Sequence, residues 1–167
     1  MNTRFLSASL FPLAFLVVSV FIEILFGNMP ENTLRYFYLD YIANITAKII
    51  NILTPNDQVL VLQNALYGKA HLVIASTCSG SGFLSLLAAA IIVFSTSLKH
   101  KLTGLFLGIL FVVLLNIGRI IGLYLTMAYQ PDWFLWVHEY FTPTLMTILF
   151  CLFFAVWAFW ATDKAYE

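Results

Sequence analysis

Cys78 lies in Thr77-Cys78-Ser79-Gly80, a thiol among small polar residues at the start of a long apolar run. A nucleophilic cysteine needs polar neighbours, room for a substrate backbone, and a base or cation close by. Arg119 and His138 have the complementary chemistry, and each sits near the end of another apolar run. Arg119 interrupts the run from Leu114 to Leu123, and an arginine inside a span is costly unless it is paired or hydrated. Its plain alternatives are to snorkel outward or to clamp backbone carbonyls. Asn116, three residues earlier on the same helical face, is placed to orient it, and Gly118 and Gly122 leave room for a neighbouring helix. His138 follows the aromatic stretch from Trp133 to Trp136, a setting that alone suits an interfacial anchor. The rival imidazole is His71, nearer to Cys78 in sequence but alternating with Val73 along an expected strand. Ser79 and Gly80 are supporting candidates. With no His-x-x-x-His or Cys-x-x-Cys pair, no metal is expected, and no cofactor. Cys151, between Phe150 and Leu152, reads as an apolar packing residue.

The elements that must position these residues follow from composition. Of 167 residues 62% are hydrophobic and 10% charged, against about 45–50% and about 25% in soluble domains. Several apolar runs approach or exceed the roughly 20 residues that cross a bilayer, so the chain is an α-helical integral membrane protein. A formal net charge of zero without a basic cluster excludes nucleic acid. The apolar runs predict four transmembrane helices at about 6–26, 79–98, 102–128 and 139–161, in a single membrane domain over 1–167. Between the first two spans, about 27–78 forms an extracytoplasmic segment.

From Asn32 to Leu53, Leu34, Phe37, Tyr38, Tyr41, Ile42, Ile45, Ile49 and Ile52 recur at spacings of three and four. Arg35, Asp40, Asn44, Lys48 and Asn51 take the other face. This predicts an amphipathic helix, ended by Pro55 and lying in the membrane interface. Val59–Gln63 and Ala70–Ala75 then predict a small β-hairpin that delivers the chain to Cys78.

Lys99-His100-Lys101 is expected to be a tight loop, and its lysines mark a cytoplasmic side shared by Arg4 and Lys164. Both termini are therefore expected to be cytoplasmic. Counted from those ends, Cys78 lies about 20 residues along its helix, Arg119 about 18 and His138 about 24, or roughly 30, 27 and 36 Å. Three reactive side chains from three spans thus fall in one layer near the outer membrane boundary.

Thr-Cys78-Ser-Gly at the start of one span, Asn116-x-x-Arg119 in the next and His138 at the start of the last resemble the exosortase/archaeosortase family. The resemblance covers about Val59 to Ala161 and fits the short, single-domain members, with Thr77 where alanine is common. It implies a membrane-embedded cysteine protease/transpeptidase in the cytoplasmic membrane, with its active site on the extracytoplasmic face. Its implied substrates are secreted proteins bearing a C-terminal sorting signal: motif, transmembrane helix and basic tail. It also implies a lipid or glycan acceptor, or water. In that scheme Cys78 attacks to form a thioester, Arg119 stabilises the thiolate or oxyanion, and His138 protonates the leaving amine. The reading from another class is a non-catalytic membrane assembly or lipid-binding subunit, with Arg119 holding a head group or partner helix.

Overall fold

A computed structural model describes residues 3–30, 33, 38–75, 78 and 80–163. Among them follow α1 Thr3–Gly27, α2 Asp40–Leu53, the short strands β1 Leu60–Leu62, β2 Ala65–Tyr67 and β3 His71–Val73, then α3 Ser81–Val93, α4 Leu98–Tyr129 and α5 Thr142–Asp163. A 3-10 turn at Pro131–Trp133, a helical turn at Phe134–Trp136 and a π-helical turn at Val137–Phe141 lead into α5. The chain divides into two compact units, one of residues 1–28, 81–112 and 147–167, the other of 29–80 and 113–146.

The first unit is built from apolar helices. Among the described residues three helical stretches are long and apolar enough to cross a membrane: Leu10–Gly27, Leu98–Tyr129 and Pro131–Thr162. The run expected at 79–98 is helical only over Ser81–Val93, which at about 1.5 Å per residue is shorter than the roughly 30 Å hydrocarbon core. The helix gives way at Ser95-Thr96-Ser97, where the Thr96 and Ser97 hydroxyls take up backbone and side-chain partners. Thr96 Oγ1 donates to the Ala161 carbonyl (3.2 Å), and the His100 amide donates to Ser97 Oγ (3.5 Å). Ser97 therefore caps α4, so Lys99, His100 and Lys101 occupy its first turn rather than the tight loop expected of them. Lys101 Nζ reaches back to the Ile92 carbonyl at 2.6 Å and closes α3.

Aromatic rings fill this unit. Phe94 packs edge-on against Phe154 and Trp157, and Phe111 against Phe150 with a stacked Phe153. Trp157 is buried over Gly104, where an added Cβ would fall on the indole. α1 joins α3 through Ser85 Oγ, which donates to Glu23 Oε2 at 2.8 Å.

The second unit has one apolar core, made of Leu39, Ile42, Ala43, Ala47, Ile50, Val59, Leu66, Ile74, Ile117, Ile120 and Tyr124. α2 is amphipathic, and Tyr38 and Leu39 directly before it are helical too; Asn32, Leu34, Arg35 and Phe37 lie outside the described residues. The face it buries (Ile42, Ala43, Thr46, Ala47, Ile50) is rotated from the expected apolar stripe. Tyr41 and Ile52 of that stripe stay 67% and 77% exposed, because small Ala43 and Ala47 admit a closer neighbour than tyrosine would.

Where a hairpin was expected there is a three-stranded antiparallel sheet in the order β1-β2-β3. The stretch assigned to the connection, Asn64 to Lys69, contains the central strand. Gln63 takes a left-handed φ of 57°, which allows a two-residue turn that pairs Leu62 with Ala65. Asn64 then locks the far end of the sheet, its Nδ2 donating to the Ile74 carbonyl (2.8 Å) while the Ile74 amide returns to the Asn64 carbonyl (2.9 Å). Asn51 ties α2 to the sheet by the same double bond with the Val59 amide and carbonyl. Gly68 is required where the buried Tyr124 hydroxyl approaches, since a Cβ there would strike it.

Candidate active site

Cys78 lies five residues beyond β3, in a turn closed by its own amide donating to the Ala75 carbonyl at 2.9 Å. Asn64 holds Ile74, one residue before that carbonyl, so the sheet sets where the thiol is held. Cys78 is half-buried and packs against the core of the second unit. Gly80, two residues on, is buried with φ of 82°, a conformation that favours glycine and turns the chain sharply after the thiol. Ser79 and Thr77 lie outside the described residues.

His138 belongs to the π-helical turn Val137–Phe141, not to regular α-helix. Such a turn carries one more residue than an α turn and re-aims the side chains on it. Phe134 stacks on the imidazole with centroids 5.7 Å apart, and the Thr142 hydroxyl donates to the His138 carbonyl at 3.2 Å. Its Nε2 then lies 3.9 Å from Cys78 Sγ, although 60 residues separate the two in sequence. A long sulfur contact of this kind is within reach of proton transfer once the ring or thiol adjusts. Glu139 is exposed.

His71 is placed elsewhere. It pairs across β2–β3 with Tyr67 and stacks on that ring at 4.4 Å.

Arg119 lies on α4 between buried Ile117 and Ile120, and is itself half-buried. Its Nε is out of solvent and has no hydrogen-bond partner among the described residues. An NH of a guanidinium left this way is a standing cost unless another group arrives to accept from it. Asn116, one helical turn before it, is fully buried. The Tyr38 hydroxyl is hydrogen-bonded to the Asn116 side chain. Burial pushes the Tyr38 phenol above its usual value, an effect only partly offset by that hydrogen bond, so the ring stays neutral. Sequence reasoning placed Tyr38 only on the apolar face of α2 and missed this contact. The available signal was chemical: a buried asparagine on an apolar helix needs a polar partner from another element.

The chain matches the profile of the transmembrane exosortase family over residues 1–157. It belongs to that family. No curated protein and no solved structure matches the chain. Family membership and the apolar helices together make this a multi-pass membrane protein, and at family level membership supports a transpeptidase-type function. Among the described residues no cluster of His, Cys, Asp and Glu could hold a metal ion.

Proposed function

We propose that this exosortase is a cysteine transpeptidase that cleaves a C-terminal sorting signal from secreted proteins and passes the product to an acceptor. The observation that carries the reading is the approach of Cys78 Sγ and His138 Nε2 to 3.9 Å within one unit. The family match adds the reaction class, and the unpartnered Arg119 Nε adds a donor without an acceptor.

Chemically, His138 Nε2 takes the Cys78 proton, and the thiolate attacks the scissile carbonyl carbon. Arg119 donates to the oxyanion of the tetrahedral intermediate, where fixed positive charge acts most strongly in a water-poor site. Collapse breaks the C–N bond, and the proton held by His138 goes to the leaving amine. A thioester on Cys78 remains. An acceptor nucleophile, or water, gives its proton to His138, attacks the thioester carbonyl and releases the thiolate. Asn116 and Tyr38 are positioning residues, holding the stretch of α4 that bears Arg119. In the membrane, α3 together with the chain flanking it makes a fourth crossing alongside the three longer helices. Both termini lie in the cytoplasm, and Cys78 faces the extracytoplasmic side.

The experiment is co-expression with a membrane-anchored protein ending in motif, transmembrane helix and basic tail. Cys78→Ala should abolish processing; unchanged processing sinks the proposal. A membrane-impermeant maleimide should label Cys78 from outside intact cells, in a Cys151→Ser background. The reading of a non-catalytic subunit, with Arg119 binding a head group or partner helix, predicts instead that Cys78→Ser is tolerated.

A further inference from the structure

The first unit holds a groove that the proposed chemistry does not use. It runs between α1, α3 and α5, has a volume of about 260 Å³, and is walled by apolar side chains including Phe15, Phe83, Leu86, Ala90, Phe150 and Phe154. Phe154 also lines a second, larger cavity of about 810 Å³, so the two adjoin. There the lining changes character: beside Leu10, Phe11 and Phe94 stand Ser95, Thr96 and Lys101. The Lys101 ammonium is fixed at this mouth by its hydrogen bond to the Ile92 carbonyl, which leaves two of its three N–H donors for another acceptor.

The occupant must satisfy both halves. A wall that is apolar but for Thr147 rejects polar groups that it cannot pair, and in a membrane protein the molecules at hand with long apolar chains are lipids. A cation with free donors at the other end calls for an anionic oxygen acceptor, and it repels a basic segment. We infer that this groove binds one anionic phospholipid, with an acyl chain along Phe83, Ala90 and Phe154 and the phosphate at Lys101. This assignment rests on the first unit alone and stands or falls independently of Cys78.

Native mass spectrometry of the full chain in detergent, titrated with phosphatidylglycerol and phosphatidylcholine of equal chain length, tests it. One phosphatidylglycerol should be retained per chain, at least tenfold more tightly than phosphatidylcholine. Lys101→Glu should erase that preference and Lys101→Arg should keep it. Ala90→Phe, which fills the apolar part, should weaken retention of both lipids. Equal retention of the two lipids by the native chain overturns the inference, as does a preference that survives Lys101→Glu. A second copy of the chain occupying the face, seen as a lipid-free dimer, overturns it too.

Discussion

The two units solve opposite packing problems. In the second, buried side chains from α2, the sheet and α4 form one continuous core, and polar side chains such as Asn51 and Tyr38 meet specific partners, while Arg119 Nε is left without one among the described residues. In the first, Leu13, Leu16, Val17 and Phe21 of α1 point outward at about half or more exposure, and cohesion comes from aromatic contacts and a few polar bonds such as Ser85 to Glu23 and Thr96 to Ala161. Lipid tails are as apolar as leucine, so these outward faces lose nothing by staying uncovered, and helices there associate through close fit and few polar contacts. The difference teaches where precision is kept. The residues with reactive chemistry, Cys78, Arg119 and His138, all belong to the unit with its own core.

Substitutions should separate the units sharply. The largest effect is expected in the second: Cys78→Ala should remove essentially all processing, and His138→Gln should cost about 10²–10⁴-fold, in a co-expression assay of substrate cleavage. Arg119→Lys keeps the charge but loses the planar donors and should lower the rate by roughly 10²-fold, with little change in the amount of folded protein. If His138→Gln retains full activity, the contact with Cys78 is structural and the contrast between units loses its functional meaning.

Glycine substitutions probe packing on both sides. Gly68→Ala, against Tyr124, and Gly104→Ala, against Trp157, should each destabilise by about 1–3 kcal/mol, read as a lowered melting temperature in detergent. Only Gly68→Ala should also depress processing by the protein that remains folded, because it disturbs the sheet that leads to Cys78. Equal loss of activity from Gly104→Ala would blur the division.

Tyr38→Phe is expected to be milder, lowering the rate severalfold with stability almost unchanged, since only the hydrogen bond to Asn116 is removed. The smallest effect is Glu23→Ala, which breaks the bond from Ser85. Polar pairs between membrane helices are worth about 0.6 kcal/mol on average, so melting should shift only slightly and processing not at all.

Much of the architecture was legible in the chain because its signals are local. Apolar runs announced α1, α4 and the helix ending in α5, and the three-and-four spacing after Tyr38 announced α2. The helix expected at 79–98 is shorter than its apolar run because Thr96 and Ser97 are few enough to hide in a hydropathy average, yet their hydroxyls engage backbone groups. The central strand was missed for a related reason: Ala65-Leu66-Tyr67 is too short to show alternation, and only the left-handed Gln63 makes it a strand. The candidate site divides the same way. Cys78, Arg119, His138 and Asn116 stood out by chemistry in an apolar setting, whereas Tyr38 did not, because tyrosine is ordinary on an interfacial helix.

The sequence by itself determined that the chain is a multi-pass membrane protein, since hydrocarbon admits only long apolar helices, and it identified the residues whose polarity such helices do not tolerate without cause. Tertiary structure alone decided which imidazole meets the thiol. His71 is nearer in sequence but is held on Tyr67 by the register of β2 and β3, while a π-helical turn 60 residues away brings His138 to Cys78. Register and turn geometry are set by packing between elements distant in the chain, and no local pattern of residues encodes them.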